Sequence, residues 1–297
     1  GIRVVGVVFN FVASVAHYAY LQQACADAGV EALGYIPKDE SIVIPSRHLG
    51  LSIDETFCFD AFADRVAEVI DKTVNVDRLL ELCTVEFSGE QTEDVVCSGN
   101  RKIAIARDEA FNFMYRENVE ALKRAGEVVF FSPLHDKRLP DADLVYFPGG
   151  YPELHLAELA TNEGMRQSVR KYCETGGRVL AECGGMMYLC DTITGDDGKV
   201  YPMVGVLKQG ATMEQMKLKL GYREVRVNGQ RIRGHEFHYS RILPTNEKIP
   251  VIGTIYNAKD MVVDTPVYTY KNVLASYIHF YWGECGMDHF LMLMSQK

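Results

Sequence analysis

The chain has 297 residues, 47% of them apolar, and a formal net charge of −9; that size can bury more than one core, and the acidic balance argues against nucleic acid or an anionic membrane surface as the main partner. No apolar run approaches the roughly twenty residues of a membrane span and no charged leader precedes an apolar signal core. Eight cysteines without a CxxC pair read as neither a zinc site nor a disulfide framework, so a soluble protein of the reducing cytoplasm is expected.

Residues 2–9 (IRVVGVVF) form a near-continuous apolar run, the pattern of a strand covered on both faces in a parallel sheet. The run starts directly after Gly1, with no initiator methionine, as in a truncated or processed chain. A helix is expected over 15–28, ended by Gly29, then a strand over 30–36 and a helix pattern over 57–82. Asn10 ends the first strand and Pro37 follows the second, positions that often meet a base or phosphate. The loop 44–51 (IPSRHLGL) carries Arg47 and His48, which suit a carboxylate ligand or simple solvation equally. Residues 87–100 are mostly polar and read as a linker. No GxxxxGK[ST] occurs anywhere, so the chain by itself has no P-loop.

A second α/β unit begins with a strand over 102–106, a helix over 111–125 and a strand over 127–131. The strand 144–147 runs into the turn PGGYPE, and a helix is expected from there to about 171. Segments 222–227, 234–240 and 251–256 read as antiparallel strands, and 273–279 as one further strand.

The segment LAECGGMMYL, residues 180–189, places Cys183 where a buried strand stops and a glycine-started helix begins. A side chain on so sharp a turn stands clear of its neighbours, and Ala181 and Gly185 let the backbone bend. The helix N-terminus is expected to favour the thiolate. A thiol nucleophile needs a base, and His279, at the end of the apolar run NVLASYIHF, is the best placed of eight histidines. Donors for an oxyanion are visible in the N–H of Gly184 and in the glycine turn, Gly149 and Gly150, beside Tyr151. Two glycine-rich strand ends in one parallel sheet share the carboxyl edge, where ligands bind. The segment RGHEFHYS carries His235 and His238, but alternation puts them on opposite faces and the spacing is not HExxH. They are read as lining a polar substrate cleft, and no metal site is expected.

These residues resemble the cobyrinate a,c-diamide synthases, a family of glutamine-dependent enzymes of corrinoid biosynthesis. The resemblance spans essentially the whole chain and rests on GVVFN, GYIPKDE, PSRHLGL, IAIARDEAFNFMY, FSPLHD, PGGYPEL, AECGGMMYL, GYREV and GHEFHYS in order. It implies an α/β fold in two parts. Residues 1–86 resemble the C-terminal part of a P-loop, dethiobiotin synthetase-like ATP-binding domain, and 101–297 a complete class I glutamine amidotransferase domain, flavodoxin-like, with a mostly parallel sheet. By the same resemblance Cys183 attacks the amide of glutamine, His279 moves protons, and Gly150 and Gly184 hold the oxyanion. The released ammonia attacks an acyl phosphate made from ATP and a tetrapyrrole carboxylate, at the a and then the c acetate.

Asn10 and Pro37 match positions near adenine, and Mg²⁺ accompanies the ATP in the complete enzyme. An N-terminal P-loop segment is the missing partner of this chain, with a homodimer as the candidate assembly. Two departures stand out. Many class I amidotransferases carry glutamate two residues after the catalytic histidine, where this chain has Tyr281; a dyad is implied unless Glu284 substitutes. The P-loop is absent, so the chain alone is expected to act as a glutaminase. The alternatives are a related amidotransferase acting on Ni-sirohydrochlorin or making cobyric acid, a cysteine hydrolase of the same fold, and a ligand-binding remnant without turnover.

Overall fold

A computed structural model describes residues 3–44, 46–47, 50–51, 57–86, 99–245 and 248–282. The chain divides into two compact units, 1–91 and 92–297.

In the first unit β1 (Gly6–Val12), α1 (Val15–Asp27) and β2 (Glu31–Pro37) form a βαβ pair with the two strands parallel. Ser14 caps α1 by accepting the His17 N–H at 3.1 Å. The expectation of a strand covered on both faces is corrected: Val4, Val8 and Phe11 are exposed, and β1 pairs with β2 alone among the described residues. An apolar run makes a face fit for burial without supplying the cover. Short strands β3 (Ser46–Arg47) and β4 (Gly50–Leu51) pair antiparallel. The single helix expected over 57–82 is two, α2 (Phe59–Thr73) and α3 (Val76–Cys83). The chain breaks where Val74 turns extended to bridge Gly34, and Asn75 then caps α3 through the Arg78 N–H.

The second unit opens with β5 (Arg101–Ala106), α4 (Arg116–Ala125), β6 (Gly126–Phe131) and β7 (Leu144–Phe147). The helix expected from 111 starts five residues later, because Asp108 Oδ1 accepts the N–H groups of Ala110 and Phe111 and holds a turn there. A short 3₁₀ turn (Pro152–Leu154), α5 (Leu156–Thr161) and α6 (Glu163–Glu174) replace the one helix expected to 171; Asn162 divides them, capping α6 and donating to the Pro133 and Asp136 carbonyls. Then come β8 (Arg178–Glu182), α7 (Gly184–Leu189), β9 (Cys190–Thr194), β10 (Val200–Pro202) and β11 (Leu207–Thr212). The chain ends its described part with β12 (Lys219–Val227), β13 (Gln230–His238), β14 (Arg241–Ile242), β15 (Thr254–Asn257), β16 (Val267–Tyr270), β17 (Val273–Ser276) and β18 (Ile278–Tyr281).

Three sheets result. The main one has the order β16-β17-β8-β7-β5-β6, parallel except for β16, and its five parallel strands run in the 2-1-3-4-5 order of flavodoxin-like folds. The second is antiparallel, β15-β12-β13-β18, and the third is the mixed sheet β10-β9-β11-β14. One core cluster joins the first two: Ile103, Tyr146 and Leu180 of the parallel sheet pack with Ile232, Phe280 and Trp282. Each such fully buried large side chain contributes about 1.5–3 kcal/mol.

The run 273–279, expected as one strand, is two strands in different sheets. β17 pairs parallel with β8, and β18 pairs antiparallel with β13. Ser276 makes the corner: its hydroxyl donates to the Pro266 carbonyl at 2.9 Å and accepts the Ile278 N–H at 3.2 Å. His279 therefore rides on the last described strand of the antiparallel sheet, next to the carboxyl end of the parallel one.

Candidate active site

The neighbouring strands β7 and β8 end side by side, and both continue into glycine-bearing turns. After β8 the backbone of Cys183 takes φ 47° and ψ −108°, left of the ordinary range for a side-chain-bearing residue, and α7 begins at the next residue. The Cys183 N–H donates to the Ser276 carbonyl at 2.7 Å, and the Gly185 N–H donates to Pro148 at 3.1 Å. A Cβ on Gly185 would overlap the Phe147 carbonyl, so the elbow is drawn against the turn that follows β7.

Within that turn, Gly149 exchanges both backbone hydrogen bonds with Phe113, at 3.0 and 3.1 Å. Its N–H is thereby spent, and the sequence expectation that it serves as an oxyanion donor is corrected. Gly150 has φ 152°, and a Cβ there would overlap the Ala110 carbonyl. A Cβ on Gly184 would lie 3.1 Å from the Gly150 carbonyl oxygen, so the two glycines adjoin. The N–H groups of Gly150 and Gly184 donate to no backbone carbonyl among the described residues; that of Gly184 faces the Cys183 sulfur. Tyr151 stands at the rim, its N–H held by the Ala110 carbonyl at 3.0 Å.

His279 reaches the same corner from β18. Its ring stacks on His235, its cross-strand partner, with centroids 4.8 Å apart, and meets the edge of Phe113 at 4.7 Å. His235 is in turn hydrogen-bonded to the Tyr115 hydroxyl at 2.5 Å. The Nδ1 atom of His279 is buried with no hydrogen-bond partner among the described residues. Packing, together with the glycine beneath the ring at 149, sets its orientation.

The electrostatics oppose ionisation of the resting thiol. Cys183 is 7% exposed, and burial, then the Glu153 charge, push its thiol well above the usual range; the Gly184 N–H acts the other way and is outweighed. The thiol donates to the Phe237 carbonyl at 3.9 Å. This corrects the expectation that the helix N-terminus makes a thiolate: α7 has only six residues, and three carboxyl groups (Glu153, Glu182 and Glu236) act on the sulfur. Burial raises Glu153 to about 7 and Glu182 to about 8. Burial would raise Glu236 too, but His238, Lys219 and Thr265 hold it near 2. Burial, then His235 and His238, lower His279 to about 3, so its imidazole is neutral in the resting site, and burial disfavours the imidazolium.

The remaining sequence candidates are distributed as follows. His238 is buried, stacks on Tyr277 at 3.6 Å and commits both ring nitrogens, to Glu236 at 2.8 Å and to the Ser240 carbonyl at 2.7 Å. Having no nitrogen left for a ligand, it supports the site instead of lining it, whereas His235 borders it. Asn10 and Pro37 lie in the first unit; the expected strand ends are corrected, since β1 runs past Asn10 to Val12, which pairs with Pro37, the last residue of β2. Asn10 is exposed and accepts the Phe11 N–H at 2.9 Å. Arg47 lies on β3, its side chain outside the described residues, as are His48 and Glu284. No group of three or more His, Cys, Asp or Glu side chains among the described residues is arranged to hold a metal ion, and no described helix is long and apolar enough to cross a membrane.

Several residues at the corner escaped the sequence reading. Phe113 and Tyr115 fell inside an expected helix, although the aromatic spacing FNFMY and the Asp108 turn signal argued for a loop. Glu153 and Glu182 sit in the very motifs that flagged the turn and the elbow, and polar residues inside apolar runs are their signal.

A sequence profile of the CobB/CobQ-like glutamine amidotransferase domain matches residues 102–286. Over 298 aligned residues the chain is 34% identical to a cobyrinate a,c-diamide synthase of Salmonella typhimurium, covering 95% of this chain and 65% of that protein. It is 36% identical to a hydrogenobyrinate a,c-diamide synthase of Pseudomonas aeruginosa, covering 93% of this chain and 62% of the relative. The chain thus spans about 65% of the length of the curated relatives it matches. Among solved structures, PurLQS from Thermotoga maritima aligns with a TM-score of 0.43 at 18% identity, over 62% of this chain and 88% of the other.

Proposed function

Because the chain belongs to the CobB/CobQ-like glutamine amidotransferase family, we propose that its second unit hydrolyses glutamine to glutamate and ammonia. The Cys183 sulfur attacks the side-chain amide carbon while His279 takes the thiol proton. The oxyanion forms against the N–H groups of Gly150 and Gly184. His279 then gives the proton to the departing nitrogen, ammonia leaves, and water hydrolyses the γ-glutamyl thioester to release glutamate and restore the thiol. The observation that carries this reading is the strained Cys183 elbow beside two adjoining glycine N–H groups that donate to no backbone carbonyl among the described residues. Tyr151 at the rim suits contact with the glutamine backbone.

We further propose that in the complete protein this ammonia amidates the a and c acetate carboxylates of a corrinoid. The support is the similarity to enzymes named for cobyrinate and hydrogenobyrinate. Asn10 and Pro37 offer an amide and a ring on β1 and β2, and the sequence contains no GxxxxGK[ST] phosphate loop. ATP and Mg²⁺ would activate the acceptor carboxylate elsewhere in the complete protein. Incubation with an electrophilic glutamine analogue followed by peptide mass spectrometry tests the first proposal; a γ-glutamyl-type adduct on Cys183 is expected, and an unmodified Cys183 would refute it.

A further inference from the structure

Among the described residues β18 pairs with β13 alone, and two buried side chains reach backbone groups on and just beyond it. Glu182 Oε1 accepts the Phe280 N–H at 3.2 Å, while its Oε2 accepts the Tyr146 hydroxyl at 2.8 Å. Asn118, on α4 and fully buried, donates from Nδ2 to the Phe280 carbonyl at 2.7 Å and accepts the Trp282 N–H on Oδ1 at 2.8 Å. The Asn118 amide thus pairs with the strand as a peptide group would.

The placement is specific. Glu182 is the residue before Cys183 and Phe280 is the residue after His279, so a single hydrogen bond ties the two chemical groups together through their immediate neighbours. Among the described residues nothing hydrogen-bonds the Nδ1 of His279, the atom that a triad carboxylate would orient, and position 281 holds tyrosine. We propose that Glu182 and Asn118 are the positioning residues for His279, clamping the Phe280 peptide and so fixing the imidazole over Gly149 from the backbone side. This rests on the glutaminase reading for its effect on rate, but the clamp itself is readable without turnover.

The test compares Glu182→Leu, Glu182→Gln and Asn118→Asp in the whole chain. Leu removes the acceptor that the Phe280 N–H faces, Gln keeps an acceptor oxygen, and Asp keeps the acceptor for Trp282 but loses the donor to Phe280. Glu182→Leu and Asn118→Asp are expected to lower kcat for glutamine hydrolysis on the order of tenfold to a hundredfold with KM little changed, and Glu182→Gln to restore most of the loss. In parallel, the Cε1–H NMR signal of His279, displaced by the Phe113 and His235 rings, should move toward its free position in Glu182→Leu and return in Glu182→Gln. An unshifted His279 signal in folded Glu182→Leu overturns the proposal, as does a Gln variant as damaged as the Leu one. If Glu182→Leu does not fold, Asn118→Asp is read by the same two measurements. A wild-type chain that releases no ammonia would sink the glutaminase reading, while the NMR comparison would still decide the clamp.

Discussion

The Cε1 atom of His279 occupies the space that a Cβ on Gly149 would fill. The glycine is there for room: its own backbone is committed to Phe113 and gives no donor to the reaction. Gly149→Ala is therefore expected to keep the fold and displace the imidazole. Displacement of this kind costs on the order of a hundredfold in rate. Ammonia release with a thermal melt alongside checks it, and an alanine variant with wild-type rate would show that the ring does not need that position.

Glu153 is the strongest charge acting against the thiolate after burial itself, and it titrates near 7. Above that pH its carboxylate raises the thiol further. Glu153→Gln should shift the iodoacetamide alkylation profile of Cys183 to lower pH, with the wild-type midpoint above the ordinary thiol value of about 8.5. A wild-type midpoint at or below that value would contradict the buried, carboxylate-ringed thiol described above.

Glu182 leads to a stability prediction. Its carboxyl titrates near 8 when folded, raised by burial from the ordinary 4.5. Between those values the folded state holds a proton that the unfolded state has released, so this group's contribution falls as pH rises from 4.5 toward 8. The limit is roughly 5 kcal/mol by the usual conversion of about 1.4 kcal/mol per unit. Glu182→Gln has no proton to lose. Its melting temperature relative to wild type should rise steadily between pH 5 and pH 8, and a difference independent of pH would mean that Glu182 ionises normally.

What the sequence revealed and what it hid divide along physical lines. The parallel core was legible because β5, β7 and β8 are continuous apolar runs, and the elbow was legible because a cysteine between such a run and two glycines has few other uses. The switch at Tyr277 was not, since residues 273–281 read as one mostly apolar run through a change of sheet and the Ser276 hydroxyl marks the corner. The state of the thiol was also hidden. Spacing shows a helix N-terminus, while the carboxyl groups of Glu153 and Glu236 arrive through tertiary contacts. Gly149 could be recognised as important but not assigned its purpose, which depends on a histidine 130 positions later.

The most direct test is ammonia release from glutamine by wild type and Cys183→Ala, with circular dichroism confirming that both fold. Hydrolysis by wild type and none above background by the variant is the predicted result. A folded Cys183→Ala chain that still releases ammonia at the wild-type rate would contradict the assignment of this elbow as the glutaminase nucleophile.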